Sequence, residues 1–438
     1  MSKFEAASSS ATSNPLCVRD IQYRYDHDRG CFRHNLERDL QIFCIWENAR
    51  HIQQSILSLI SENFSVIKIY EFEWSHGKIE ENFGRLYKTI GNGRNYKQES
   101  AGSGPFLCIV CEDLDPCYLY STTVSGNLEL CNKRVVEVKR TARSWLGGFL
   151  VHSTANPIEF IEQVFLLLSE QEVENIMSAP TSDQKFATRK EDMIGSDGWD
   201  SFESLFRHLN KTTDYLVLRN FESALGDYSE SDLDVLCAEP SSFLAAANGA
   251  NVDKNRSRVK CTIQVAGRSI PVDVRFVGDG YYDTNWQRDM LKESELLHGI
   301  VRIPRVDHYF FSMLYHGVLQ KPFLAEKYIL RLDELGREIG LGPELLRTLP
   351  DANVAATVVQ SFLKASGYSF YTPLDAGVHV NRKATRVLWP DHITIYRKPG
   401  SSPIFRHAAE VARKSRKLAP QWLRKRVPPG IRSWILST

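Results

Sequence analysis

No run of 18 apolar residues occurs in the 438-residue sequence, so no segment is predicted to span a membrane. The opening MSKFEAASSSATSNP has no apolar core and carries Glu5; it reads as a frayed tail, not an export signal. Paired cysteine spacing is also missing. The nine cysteines are scattered, and without an export signal they are expected as free thiols in a reducing, cytoplasmic setting. Cys108 and Cys111, near Cys117 and Cys131, have zinc-like spacing. They lie in FLCIVCED, a predicted buried strand, where residues three apart face opposite sides, which argues against a shared ion. No internal repeat is evident.

A large net charge is lacking too, but the balance is uneven. The chain carries +1 overall, whereas residues 401–438 hold nine Lys or Arg and one acid, Glu410. That segment is therefore +8, which leaves −7 for residues 1–400. Its basic residues alternate with Val411, Leu418, Trp422, Leu423, Val427, Ile431, Trp434, Ile435 and Leu436. This pattern suits an anionic membrane surface through residues 404–438 better than it suits nucleic acid. Pro420 and Pro428-Pro429 break any helix there into short pieces. The expected location is cytoplasmic, peripheral at the inner face of the membrane.

With 42% hydrophobic and 24% charged residues the body has ordinary globular composition, and its length allows two or three cores. The pattern predicts α/β and α+β architecture in six parts: a lead-in over 1–38, an N-terminal α/β domain over 39–170, a polar linker over 171–195, a mixed-sheet core over 196–322, a helical extension over 323–400, and the basic tail over 401–438. In the first domain, predicted strands at 42–46, 65–72 and 106–111 alternate with helices at 49–60 and 79–87. A Gly/Ser-rich loop precedes the third strand, a hairpin-like segment surrounds 125–127, and a helix follows at 136–145. The helix over 158–168 has Asn156 as cap, Pro157 at its first position and Glu159 placed to reach back. Just before it, His152 and Ser153 form a second candidate site, as an anion-binding helix start or as a buried hydrogen-bonded loop.

From residue 196 the chemistry is denser. Phe202, Leu205, Phe206 and Leu209 mark a core-facing helix, and a strand follows at 215–218. SDLDVLC places Asp232 and Asp234 on one face of a strand start. Two neighbouring carboxylates repel unless a cation neutralises them, and oxygen ligands of this kind suit Mg²⁺ or Mn²⁺. In 270–276, Val272, Val274 and Phe276 form the apolar face, so Asp273 and Arg275 share the other. A mid-strand Asp is costly to bury unless paired or metal-bound. If the two strands are neighbours, three carboxylates converge and can hold cations for an in-line phosphoryl displacement. Helices are predicted at 286–297, 307–319, 323–339 and 353–364.

The helix at 202–209, YLVLRNFE, SDLDVL and SIPVDVRFV resemble the nucleotidyltransferase-fold superfamily in order and type. More narrowly, VDVRFVGDGYYD and DHYFFSMLYHG resemble uncharacterised members found among bacterial surface-polysaccharide enzymes. The resemblance implies Asp232 and Asp234 as metal ligands, Asp273 as the third, catalytic carboxylate, and transfer onto a hydroxyl. The superfamily's Gly-Ser or Gly-Gly turn is replaced here by Leu218-Arg219-Asn220. No glycine permits close approach of a triphosphate. Arg219 offers a bidentate phosphate contact instead. A diphosphate-linked donor such as a CDP-polyol therefore stands beside a nucleoside triphosphate, as in polyol-phosphate transferases of the LicD and fukutin kind. The expected acceptor is a glycan or sugar hydroxyl. RNA or a small molecule as acceptor, and a non-catalytic scaffold with a degenerate fold, are the rivals. Tyr281, Arg275, His316 and Lys321 complete the candidate substrate contacts. Tyr281, Arg275 and Lys321 also have plain structural readings: turn residue, ion-pair partner and solvated helix end.

Overall fold

The computed structural model describes residues 16–91, 96–122, 126, 128–178, 185–221, 232–255 and 257–388. The basic tail, residues 125 and 127 of the hairpin-like segment, and part of the Gly/Ser-rich loop lie outside these residues. The architecture is mixed α and β.

The first half contains β1 (Tyr23–Asp26), β2 (Cys31–His34), β3 (Leu40–Ile45), β4 (Ser65–Phe72), β5 (Phe106–Glu112), β6 (Tyr118–Thr122), β7 (Leu128–Asn132), β8 (Val151–Ser153) and β9 (Lys185–Arg189). One sheet runs β8-β3-β5-β4-β9 and a smaller one runs β1-β2-β6-β7. β5 is antiparallel to both β3 and β4, so those two run the same way with β5 inserted between them. The helix Gln53–Asn63 makes the crossover. This differs from a simple parallel α/β layer, because β5 returns into the gap the crossover leaves. β3 and β5 are buried at every residue, which explains why each is apolar but for one residue, Gln41 in β3 and Glu112 in β5. The helices Gln53–Asn63 and Lys133–Leu146 cover one face. Ile79–Leu86, Pro157–Leu167 and Glu170–Ser178 cover the other. Cys108 packs in one layer and Cys111 in the other, and all nine cysteines are free.

Of residues 171–195, expected as a linker, 171–178 and 185–189 belong to this unit instead. They include most of the helix Glu170–Ser178 and the strand β9, which pairs in parallel with β4. Polar spacing hides β9 because it is an edge strand that buries little. The Gly/Ser-rich loop has a structural role at its described end. The amides of Ser103 and Gly104 both donate to one Glu47 carboxylate oxygen at 2.7 Å.

The second half is built on β10 (Tyr215–Val217), β11 (Leu233–Cys237), β12 (Ala250–Asn255), β13 (Arg258–Val265) and β14 (Arg268–Phe276), in the order β10-β11-β14-β13-β12. Only β11 and β14 pair in parallel. Ser201 caps the helix Phe202–Thr212, whose predicted stripe is buried against this sheet. The helices Val306–Leu319, Glu326–Glu338 and Ala352–Ser366 add Phe310, Leu335 and Val359 to the same core. One correction applies to the helix expected over 286–297. It spans Thr284–Lys292, capped by Asp283, and Glu295–Leu297 forms a hairpin with Val301–Ile303.

Candidate active site

β11 and β14 set the site by register. Asp234 lies directly beside Asp273, and in-register residues on adjacent strands share a face. Arg275, two residues on, shares that face, and Asp232 immediately precedes β11. All eight candidate residues of the second half, Arg219, Asp232, Asp234, Asp273, Arg275, Tyr281, His316 and Lys321, line a single cleft of about 440 Å³. That volume suits a nucleotide-sized ligand. The wall also contains Asn220, Arg258, Gln320, Lys327, Tyr328 and His379, so five Lys or Arg face three carboxylates.

Ion pairs hold the carboxylates. Arg219 Nε donates to Asp234 Oδ2 at 2.7 Å. Arg275 Nη2 lies 3.4 Å from Asp273 Oδ2, and Arg258 Nε lies 4.0 Å from Oδ1. Both arginines also reach Asp375, at 3.1 Å from Arg258 and 3.3 Å from Arg275. Asp375 comes from the loop after the helix Ala352–Ser366, so the far end of the chain closes the site. Among the described residues, no three His, Cys, Asp or Glu side chains stand grouped for a metal ion. Asp234 must turn from Arg219 before it can ligate one. The donor set nevertheless fits a divalent cation, because Asp273 Oδ1 is buried and accepts no hydrogen bond. Burial raises the Asp273 carboxyl above its ordinary range and Asp234 adds to this, against Arg275 and Arg258. A bound cation relieves both causes.

The Leu218-Arg219-Asn220 turn has an unexpected feature. Asn220 adopts φ +59°, so the left-handed conformation that glycine usually supplies is present without glycine. The Arg275 guanidinium lies 4.1 Å from the centre of the Tyr281 ring. The Tyr281 hydroxyl is 2.9 Å from His316 Nδ1, which also lies 3.1 Å from Gln320 Oε1. Burial, then Arg219, Lys321 and Arg275, push the His316 imidazole well below its ordinary value, so it is neutral near pH 7.

Asp279 orders the loop that carries Tyr281. Its carboxylate accepts from the Tyr281 amide and from Gln287 Nε2, both at 2.8 Å. Burial pushes this carboxyl from 3.8 up to about 6. It therefore binds its proton more tightly folded than unfolded. Its stabilising contribution is fully present below about pH 4 and is lost as pH rises through about 6. The linked change is roughly 3 kcal/mol. Urea midpoints are expected to fall between pH 4 and 7 in the wild type relative to Asp279→Asn. Parallel profiles for the two proteins count against this assignment.

His152 and Ser153 do not join the cleft. Both are buried in β8, and His152 Nε2 is 2.8 Å from Gln163 Oε1. The following helix start is served by its own side chains. Asn156 accepts from the Glu159 amide and Glu159 accepts from the Ala155 amide. The buried hydrogen-bonded reading fits this geometry and the anion site does not.

Arg258 and Asp375 went unrecognised in the sequence. For Arg258 a signal exists. Lys260 is in register with Asp273, so alternation puts Arg258 on the Asp273 face as well. For Asp375, a hundred residues from its partner Arg275, local sequence holds none. Compared with known proteins, the chain matches no family model and no curated protein.

Proposed function

We propose that the chain is a Mg²⁺-dependent transferase. It moves a nucleotidyl or phosphopolyol group from a nucleotide donor to a sugar hydroxyl in surface-glycan assembly, on a nucleotidyltransferase-like core. The observation that carries this reading is the Asp234–Asp273 register facing a cleft ringed by cations. Asp232, Asp234 and Asp273 would hold the metal, which when bound supplies Lewis-acid polarisation of the phosphoryl oxygens. Arg219, Arg258 and Arg275 offset the charge of a diphosphate, which lets it approach acidic side chains. With a CDP-polyol donor, the acceptor oxygen bonds to the polyol-bearing phosphorus. The P–O bond to CMP breaks, and CMP keeps the electron pair. The hydroxyl proton passes to Asp273, the catalytic carboxylate that the superfamily resemblance implies.

The phosphopolyol branch is preferred because an arginine, and no hydroxyl, stands in the turn that grips a triphosphate in the superfamily. The test is a donor panel with purified protein and Mg²⁺. CMP release from CDP-ribitol or CDP-glycerol, abolished by EDTA, is expected. Turnover of nucleoside triphosphates alone overturns the phosphopolyol preference, and turnover indifferent to EDTA overturns the metal. The Arg219–Asp234 pair favours a second reading: a binding domain in which an arginine replaces the cation.

A further inference from the structure

The rim of the cleft is unlike the rest of its wall. Lys321 and Pro322 line the mouth, and the next residue, Phe323, is 73% exposed. Lys327 also lines the mouth. Leu330, three residues on in the same helix and so on the same side, is 65% exposed. On the facing side, Leu374 is 40% exposed, one residue before Asp375. Gly280 admits it there: a Cβ at that glycine would lie 2.9 Å from the Leu374 Cγ. Isolated exposed apolar residues are ordinary, but these three neighbour residues of the cleft wall, two of them beside its lysines, and form an amphipathic rim.

The last described helix starts from the same place. The Asn381 amide donates to the Leu319 carbonyl at 2.8 Å, beside the cleft residues Gln320 and Lys321. From there the helix Arg382–Leu388 leads on, about 10 Å long. The sequence beyond it contains the Lys/Arg-rich stretch with Trp422 and Trp434. Cations interleaved with aliphatic and aromatic side chains thus occur twice, in the rim and in the sequence that follows the last described helix. A phosphate-only partner such as RNA makes no use of the aliphatic half of this composition, whereas an anionic bilayer uses both halves.

We infer that the mouth of the cleft docks against an anionic membrane surface. Phe323, Leu330 and Leu374 enter the interface, while Lys321 and Lys327 meet lipid phosphates. Resting on the transferase reading, this makes the acceptor a hydroxyl carried on a lipid-embedded glycan, presented edge-on to the cleft.

The test is co-sedimentation of the full chain with vesicles of phosphatidylglycerol and phosphatidylcholine in equal parts, and with phosphatidylcholine alone. Binding to the anionic vesicles only is expected. Phe323→Ser/Leu330→Ser should weaken it about tenfold, with urea midpoint and Mn²⁺ affinity unchanged. If the double variant binds like the wild type, the basic segment alone explains attachment and the docking face is wrong. A wild type that ignores vesicles but binds single-stranded RNA overturns the proposal equally. Neither failure touches the cleft chemistry, which the donor panel tests separately.

Discussion

Asp234→Ala is expected to cost at least about 100-fold in Mn²⁺ affinity, more than the 10–100-fold typical for residues that only support a ligand. The side chain sits in register with Asp273, so its removal takes away the only partner that β11 itself places beside that carboxylate. The change also leaves Arg219, a buried guanidinium, without the carboxylate it now pairs with at 2.7 Å. An unpaired buried cation next to a prospective metal position opposes the metal further. Titration of Mn²⁺ by electron paramagnetic resonance reads this directly, without knowledge of the substrate. Equal binding by wild type and variant, or none by either, removes the catalytic reading and leaves the binding-domain reading in which Arg219 stands where a cation belongs.

Trp286→Ala should lower global stability by about 3–5 kcal/mol, the range for truncating a large buried aromatic. Trp286 is completely buried. Its ring meets Tyr282 at 4.9 Å, Phe362 at 5.3 Å, Tyr315 at 5.7 Å and Tyr368, stacked, at 5.8 Å. Its indole N–H donates to His308 Nδ1 at 3.0 Å. These partners come from the loop after β14, from the helix Val306–Leu319 and from the C-terminal helices. The tryptophan therefore ties the helical extension to the core that carries the carboxylates. Urea unfolding followed by circular dichroism should show the loss as a shift of one transition. A change under about 1 kcal/mol, or a separate early transition confined to the C-terminal helices, shows that the extension is not part of one core.

The local pattern of the site was legible, and its closure was not. Alternation alone put Asp232 with Asp234 and Asp273 with Arg275, because strand faces follow from a period of two. The 202–209 stripe and the Asn156 cap were read the same way, from short-range rules. Side-chain reach across strands is another matter. Nothing in DLDVL says that Asp234 pairs with Arg219, which stands 15 residues earlier in the chain. Asp375 illustrates a longer reach, for five described helices separate it in sequence from Arg275. β9 was missed for an energetic reason. An edge strand gains its order from backbone pairing with β4, and its side chains need carry no apolar signal.

The arginine pair that shares Asp375 also sets an order of events during synthesis. Arg258 and Arg275 leave the ribosome about a hundred residues before the carboxylate that bridges them. Until then, Asp273 is the acid that β14 itself places beside them. Arrival of residue 375 divides their charge between two carboxylates.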